Sequence, residues 1–387
     1  MQFKPSKTKD TVTSNLSVLF VALFACLVAC QPVDTLPAVT DSNPAGNLRQ
    51  GAAMTVQVDA QYNQFFTRYS AWNGGDGVYS VPLPDGRIFW TFGDSFIGRV
   101  QPDRSRNAAQ NVFVRNAVMV QQGETFDGFR TLNQGATTDT GGKTYFVHSL
   151  EKNGKDWYWP LDATVYGGKL QVVLSHIRKT GSGSWDFKNS SVDLAICSPT
   201  TGAIEKLITN KYRGEWGYGG ALCEAADGYT YLYGVDHGTL TTNVVVARVP
   251  KGDLTATWTY WNGSKWGSQP NKYAIYKDAS DQFSVFRSGD KYYLFTQEII
   301  FGRGLYLSES TSPIGPWTNK RLLYTIPEEH GTGKVFTYNA LVHPELSRNG
   351  ELMISYCVNA NNFGDNFGVP GSADLYRPYF IRVFNWK

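Results

Sequence analysis

One pattern of polar and hydrophobic positions occurs five times along the chain: a turn made of Gly, Asp or Asn, followed by a run of β-forming and aromatic residues. The turns begin at residues 85, 167, 227, 289 and 349, so successive turns lie 82, 60, 62 and 60 residues apart. Such turns tolerate positive φ and join antiparallel strands. A short apolar run precedes each turn, and another apolar run follows as an outer strand near residues 117, 192, 244, 304 and 380.

Units of about 60 residues with some four strands are typical of propeller blades. No segment shows a long helical period, and a two-sheet sandwich would not explain the spacing. The pattern therefore predicts an all-β fold, a five-bladed β-propeller over residues 61–387. The long first interval is explained by loops near residues 99–111 and 135–143. In a propeller the first strand of each blade lines a central funnel, so we expect the residues just before these strands to face its mouth.

The N-terminal segment is predicted to direct the chain to a membrane. Three lysines precede an apolar run over residues 16–29, which ends in Leu27-Val28-Ala29-Cys30 and is too short for a comfortable membrane span. This end resembles a bacterial lipoprotein signal. The resemblance implies that residues 1–29 are removed, that Cys30 is lipidated, and that the protein is anchored to the outer membrane at its periplasmic or cell-surface face. The alternative is an ordinary secretory signal with an incidental Cys. Residues 30–60 are predicted to be a flexible tether.

Composition narrows the possible partners. The chain has 387 residues, of which 42% are hydrophobic and 18% charged, and this balance supports a large core. The net charge is +3 and no basic run occurs, so nucleic acid is not an expected partner. No Cys-x-x-Cys is present, and the histidines share no metal-ligand spacing, so neither a metal site nor a cofactor is expected. These histidines are His148, His176, His237 and His330.

Acidic residues precede the first strands of four units: Asp76, Asp162, Glu215 and Asp281. Asp94 lies 18 residues after Asp76, a spacing that fits a hairpin whose ends return to the same place. Cleavage of a glycosidic bond needs one protonated and one charged carboxyl, and crowding of acids separates their pKa values. The sequence therefore predicts a glycosidase site at the mouth. The aromatic residues on the same inferred rim, whose rings could stack on sugars, are Trp72, Trp159, Trp216, Tyr218 and Tyr338.

Three phrases carry a resemblance to known proteins: Asp76-Gly77, Phe92-Gly93-Asp94-Ser95, and Tyr338 followed at a distance by His343-Pro344-Glu345. With five blades and acids at strand starts, the chain resembles the five-bladed propeller glycosidases that cleave furanosides, such as arabinanases. The phrases are most similar to bacterial propellers long filed as domains of unknown function, some of whose relatives cleave D-arabinan. The resemblance covers the chain from about residue 62 onward.

The resemblance implies that Asp76 and Asp94 are the catalytic pair and that the substrate is a polysaccharide or oligosaccharide, preferably an arabinan or related furanoside. In the arabinanase pattern a further acid tunes the pair and a Glu donates the proton, and Asp162 and Glu215 fall nearest those places. Glu215 lies further from its hairpin turn than that pattern expects. Asp281 and His343 are expected to bind substrate, although His343 could instead brace the last blade.

Two other functions fit parts of the sequence. Gly93-Asp94-Ser95 after a hydrophobic strand is also found in Gly-Asp-Ser esterases, with Ser95 as nucleophile, but such enzymes need a late Asp-x-x-His and alternating helices that the chain lacks. A non-catalytic, lipid-anchored glycan-binding protein would use the same rim aromatics and acids. Each acid also has a structural alternative as a turn or cap residue, and Asp162 could bond backbone around the funnel.

Overall fold

Antiparallel strands make up most of the structure. The computed structural model describes residues 53–133, 141–183, 185–238, 241–299, 301–328, 335–348 and 350–387, and residues 51–387 form one compact unit. The expectations for residues 1–29, for Cys30, for most of the tether, for His330 and for the turn residue Asn349 lie outside the described residues. In the described ranges the helices are Ala60–Phe65 and five short 3₁₀ segments, namely Phe126–Gly128, Glu151–Asn153, Pro344–Leu346, Phe363–Asn366 and Ser372–Asp374.

Five sheets, numbered here by the position of their first strand, are antiparallel meanders. Sheet 1 contains Tyr79–Pro82, Ile88–Phe92, Ala117–Gln121 and Phe129–Thr131. Sheet 2 contains Asp156–Tyr166, Lys169–Lys179, Phe187–Cys197 and Ile204–Arg213. Sheet 3 contains Ala221–Glu224, Tyr229–His237, Thr242–Pro250, Thr259–Trp261 and Trp266–Gly267, with Tyr276–Lys277 paired to its third strand. Sheet 4 contains Phe283–Ser288, Lys291–Gln297, Gly304–Ser310 and Thr318–Thr325. Sheet 5 contains Val335–Val342, Glu351–Ala360, Tyr376–Phe384 and Thr55–Val58.

The all-β prediction is confirmed, and the repeated turns lie where the pattern placed them. The turns at residues 85, 167, 227 and 289 join the first two strands of sheets 1 to 4. Gly86 and Gly228 have φ of +83° and +84°, in the region that a Cβ disfavours. In sheet 5 the corresponding connection is longer and contains the 3₁₀ segment Pro344–Leu346.

The five first strands all contribute to the wall of one cavity of about 460 Å³. Apolar side chains pack between neighbouring sheets, as Val81 and Phe89 of sheet 1 do in one cluster with Val172 and Leu174 of sheet 2. The sheets are therefore arranged around a common centre, with the hydrophobic core between them. We call this cavity the hub.

No helix in the described ranges is both long enough and apolar enough to cross a membrane.

The N-terminal strand completes the last sheet. Thr55–Val58 pairs with Tyr376–Phe384, and the side chain of Asp59 accepts a hydrogen bond of 2.9 Å from the backbone of Tyr62 at the start of the helix. Half-buried Arg382 forms ion pairs with Asp59, at 2.6 Å, and with Glu351. The tether boundary predicted at residue 60 is therefore corrected, because residues 55–60 are held to the folded unit by strand pairing and ion pairs.

A sixth, smaller sheet was not predicted. It contains Ser70–Gly75, Ser95–Val100 and Arg106–Val114. Its fully buried Arg106 donates hydrogen bonds to Asn73 Oδ1 at 2.9 Å and to the carbonyl of Asn366 at 3.0 Å, and burial lowers the pKa of Arg106 to about 9. The first strand of this sheet ends just before Asp76 and the second begins just after Asp94, so the sheet fixes the backbone of both acids.

Candidate active site

Asp76 and Asp94 lie at the two ends of the hairpin that their spacing predicted, and the hydroxyl of Tyr376 bonds both residues. Sheet 1 begins after Asp76 and its second strand ends just before Gly93, whose N–H donates to the Asp76 carbonyl at 2.7 Å. A Cβ at Gly93 would come within 2.5 Å of Asp76 Oδ1, so only glycine leaves room for the carboxyl. The Asp76 side chain therefore packs against the residue that precedes Asp94.

Two tyrosines of sheet 5 hold the Asp76 carboxylate. The hydroxyl of Tyr338 donates to Oδ2 at 2.6 Å. The hydroxyl of Tyr376 lies 2.9 Å from the same oxygen and 3.1 Å from the carbonyl of Asp94, so it links the two acids. Burial raises the pKa of Asp76 to about 6, and the two tyrosine hydrogen bonds act in the opposite direction because they stabilise the charged form.

Asp94 has different partners. The indole Nε1 of Trp159 donates to Oδ1 at 3.1 Å, and the Arg115 guanidinium lies 3.4 Å from Oδ2. Burial raises the pKa of Asp94 to about 7, with Arg115 lowering it and the nearby charge of Asp76 raising it further. Two adjacent carboxyls with different surroundings can therefore exist as one acid and one carboxylate near neutral pH.

The other predicted acids are not part of this pair. Asp162 lines the hub, where its carboxylate accepts from the N–H of Ala163 at 2.8 Å and of Leu222 at 2.7 Å, and burial raises its pKa to about 7. It thus connects sheets 2 and 3. This contact corresponds to the structural alternative, in which Asp162 bonds backbone around the funnel. Glu215 is 64% exposed and pairs with Lys188, with no contact to Asp76 or Asp94 in the described structure. Asp281 is 71% exposed and lies 3.5 Å from His237.

The predicted rim aromatics lie in three kinds of surroundings. Trp159 and Tyr338 contact the acid pair, whereas Trp72 and Tyr218 have no exposed surface. The prediction that these two rings stack on sugar is corrected, because Trp72 packs against Phe66 and Phe92 in the core and Tyr218 lies among Tyr212, Trp258 and Tyr260. Trp216 is half-buried and stacked on Tyr212.

His343 is buried at the hub rather than exposed to a substrate. Its Nδ1 lies 2.5 Å from Ser80 Oγ and its Nε2 lies 2.8 Å from Ser355 Oγ, and burial lowers its pKa to about 3. The same Ser80 hydroxyl bonds Glu345, whose pKa burial raises to about 7. The expected substrate contact of His343 is corrected accordingly: the ring braces sheet 5 against sheet 1.

One group of possible metal ligands was missed, because its two histidines lie 28 residues apart in the sequence. Ligand atoms of His148, Asp156 and His176 lie within 4.8 Å of one another. Asp156 Oδ1, however, accepts from His176 Nε2 and from Arg178 Nε, each at 2.8 Å. Burial alone would raise the pKa of Asp156, but the hydrogen bonds from Asn153, Arg178 and His176 lower it to about 2. A guanidinium already neutralises this carboxylate, so the donor set fits an ion-pair cluster better than a metal centre.

Ser95, the nucleophile of the esterase alternative, is enclosed. Its hydroxyl donates to the carbonyl of Gly93 at 2.9 Å and accepts from Trp72 Nε1 at 3.3 Å, and the side chain has no exposed surface. In the part of the chain that is described, no histidine contacts it. The arrangement therefore lacks the base and the access that a serine nucleophile requires.

The family follows from comparison with known proteins. A profile described as a domain of unknown function, DUF5005, matches residues 59–386. The chain belongs to this family. The crystal structure of a "putative hydrolase" from Bacteroides ovatus is 33% identical to the DUF5005 chain, covers 88% of it and 93% of its own length, and has a TM-score of 0.75.

Two further solved structures are less similar to the DUF5005 chain. An endo-arabinase from Bacteroides thetaiotaomicron is 13% identical, covers 81% of this chain and 96% of its own, and has a TM-score of 0.45. An α-L-arabinanase mutant from Cellvibrio cellulosa is 11% identical, with coverages of 80% and 91% and a TM-score of 0.43. At these values neither likeness bears on the function. Among curated proteins, no relative matches the chain.

Sequence reasoning missed two residues of the DUF5005 site, Tyr376 and Arg115. Tyr376 begins the third strand of sheet 5 and lies 300 residues from Asp76, so no local pattern joins them. Arg115 lies 21 residues after Asp94, just before the third strand of sheet 1. Tyr376 and Arg115 both lie close to the start of a strand. An aromatic or cationic side chain at such a position is the signal that could have suggested them as site residues.

Proposed function

We propose that the five large sheets are the blades of a five-bladed β-propeller and that the protein is a glycoside hydrolase. The observation that carries the proposal is that the Tyr376 hydroxyl bonds both Asp76 and Asp94 at one edge of sheet 1, where the two acids have otherwise unlike partners and pKa values raised to about 6 and about 7. Hydrolysis of a glycosidic bond by two carboxyls needs this inequality. The similar Bacteroides ovatus protein, described as a hydrolase of unstated substrate, supports the reaction class.

In this proposal Asp94 is the proton donor. Its carboxyl, with the higher pKa, keeps a proton near neutral pH and can protonate the leaving oxygen. Arg115 and the Trp159 indole orient it through hydrogen bonds to its two oxygens. The low exposure of the Asp94 side chain, 16%, supports the retention of that proton.

Asp76 is the base or nucleophile. The hydroxyls of Tyr338 and Tyr376 both reach Oδ2 and favour its charged form, while Oδ1 is directed toward Gly93. Asp162 has a structural role at the hub, where its carboxylate bonds the backbone of Leu222. Glu215 takes no part in the reaction, because its carboxylate pairs with Lys188.

The substrate we propose is a polysaccharide or oligosaccharide, with arabinan or a related furanoside preferred on the resemblance of Asp76-Gly77 and Phe92-Gly93-Asp94-Ser95. We further propose that Cys30 carries a lipid and that residues 31–54 tether the folded unit to the outer membrane. The support for this second part is the sequence Leu27-Val28-Ala29-Cys30 after an apolar run.

The test is a screen of the purified protein against arabinan, xylan and galactan, with reducing sugar as the readout and Asp94→Asn as the control. We expect release from at least one polysaccharide, reduced about 100-fold or more in the variant. Equal release by variant and wild type would remove Asp94 from the mechanism. No release from any of the three would contradict the hydrolase and favour the glycan-binding alternative.

A further inference from the structure

An arc of aromatic rings runs from one acid of the pair to the other. On the Asp94 side, Trp159 lies 4.9 Å from Phe187, measured between ring centroids, and Phe187 lies 6.4 Å from Trp185. Trp159 is the residue that donates its indole N–H to Asp94. The first half of the arc therefore belongs to sheet 2 and to the connection before its third strand.

The second half of the arc comes from sheets 4 and 5. Trp185 lies 5.7 Å from Phe301 and 6.4 Å from Phe336. Phe336 lies 4.9 Å from Phe301 and is stacked on Tyr338 at 5.1 Å, and Tyr338 is the residue that bonds Asp76. Three stretches distant in sequence thus bring their rings together beside the acid pair.

Two of these rings are far more exposed to solvent than the aromatic rings of the hydrophobic core. Trp185 is 65% exposed, more than any other aromatic side chain in the described ranges, and Phe301 is 40% exposed. A cluster of exposed rings costs hydration free energy and usually marks a binding surface. Phe301 also has φ of +58°, a conformation that a bulky side chain rarely adopts and that occurs where function requires it.

A polar edge accompanies the rings. Asn359 Nδ2 donates to the Tyr338 hydroxyl at 3.1 Å, while its buried Oδ1 has no hydrogen-bond partner in the described structure. The buried Oε1 of Gln282, whose Nε2 lies close to Gly77, is likewise without a partner there. Flat rings beside unused carbonyl oxygens suit a ligand with an apolar face and hydroxyl donors, which is the chemistry of a sugar.

We propose that Trp185, Phe301 and Phe336 form a platform on which an uncharged sugar unit of the glycan stacks beside Asp76 and Asp94. The inference rests on the proposed function for the bond that is cleaved. The unit is uncharged because the three rings that would contact it carry no formal charge. The platform extends the site beyond the scissile bond and contributes affinity rather than chemistry.

Binding is tested in the Asp94→Asn background, so that no turnover occurs, by electrophoresis through gels containing arabinan, xylan or galactan. We expect at least one polysaccharide to retard the parent protein, and Trp185→Ala or Phe301→Ala to raise the apparent Kd about tenfold or more. Trp185→Phe, which keeps a ring, should recover most of the affinity. Tyr273→Ala removes a ring that is 47% exposed near the outer strands of sheet 3 and is the matched control.

Three outcomes of the binding experiment overturn the platform: equal retardation of the parent and Trp185→Ala proteins, an equal loss in Tyr273→Ala, and no retardation in any of the gels. Thermal unfolding of each variant checks that the fold is unchanged. In the active protein, Trp185→Ala should raise KM about tenfold and leave kcat within about twofold. Sugar release with normal KM in Trp185→Ala would refute the platform and leave the hydrolase intact. Trp185-dependent retardation without sugar release would refute the hydrolase and leave the platform intact.

Discussion

The carboxyls of the acid pair and those at the hub both have raised pKa values, and they differ in what surrounds them. At the acid pair, which we call the mouth, Asp76 and Asp94 are bonded by Arg115 and by side chains of sheets 2 and 5, and they adjoin the arc of partly exposed rings. At the hub, Asp162 is bonded by two backbone N–H groups and Glu345 by the hydroxyl of Ser80. The same physical cause, burial, thus produces similar pKa shifts in both places.

The difference shows that a raised pKa alone does not identify a catalytic group. The hub carboxyls connect neighbouring first strands, so their protonation should govern folding. The mouth carboxyls bond Trp159 and Tyr338 at the two ends of an aromatic surface that is partly open to solvent, so their protonation should govern turnover. Five substitutions test this division.

The largest effect is expected at the mouth. Asp76→Asn and Asp94→Asn should each lower kcat by about 10²–10⁴, because general acid–base or nucleophilic chemistry is lost while the fold is kept. Initial rates of sugar release measure the loss. Asp290→Asn, which changes an exposed acid in the turn between the first two strands of sheet 4, is the control and should retain its rate. A residual rate in Asp76→Asn near that of wild type would show that the pair does no chemistry.

At the hub, Glu345→Gln should change stability instead. The folded-state pKa of Glu345 is raised from 4.5 to about 7, so its contribution is fully present below about pH 4.5 and is lost as the pH rises through about 7. The variant cannot ionise, and at pH 8 we expect it to be about 2–3 kcal/mol more stable than wild type toward urea. Glu205→Gln, an exposed partner of Lys169, is the control. A variant that is less stable at pH 8 would contradict the assignment.

An intermediate effect is expected from the tyrosines that hold Asp76. Tyr376→Phe removes a hydrogen bond that favours the charged carboxylate, so the pKa of Asp76 should rise. The acidic limb of the rate profile should then move up by about one pH unit, which is about a tenfold loss of rate at pH 5. Tyr379→Phe, whose hydroxyl bonds the Asp374 carbonyl instead, should leave the limb in place. A limb that does not move in Tyr376→Phe would separate Asp76 from the acidic pKa.

The smallest effect is expected at Ser95. Ser95→Ala removes the hydrogen bond to the Gly93 carbonyl and the one from Trp72 Nε1, costs about 1–3 kcal/mol of stability and should leave turnover within about twofold. Thermal unfolding and initial rates measure the two quantities on the same preparation. Abolished turnover with an intact fold would restore the esterase interpretation.

The sequence predicted what local turns encode. Asp85-Gly86 and Asp227-Gly228 form the hairpin turns that their residue types predict. The 18-residue spacing of Asp76 and Asp94 matches the hairpin that lies between them. The pairing of Thr55–Val58 was not predicted. These four residues carry no strong strand pattern of their own, and their partner strand, Tyr376–Phe384, lies at the other end of the chain.

The wider site could not be read from the sequence, because it depends on contacts between sheets. Tyr376 lies near the C-terminus and Trp185 near the middle of the chain, and neither lies in a motif. Trp72 was placed on the rim because aromatic residues near a strand start look alike in sequence, whether they are buried or exposed. Trp72 is buried because its ring packs against Phe66, and the sequence did not predict where Phe66 lies in the fold.

The pH dependence of kcat/KM for the wild-type protein tests the central claim most directly. With Asp76 charged above about pH 6 and Asp94 protonated below about pH 7, we expect a narrow bell that falls on both sides of this interval. The acidic limb should report Asp76 and the basic limb Asp94. A rate that stays flat from pH 5 to pH 8 would contradict an acid–base pair at the mouth.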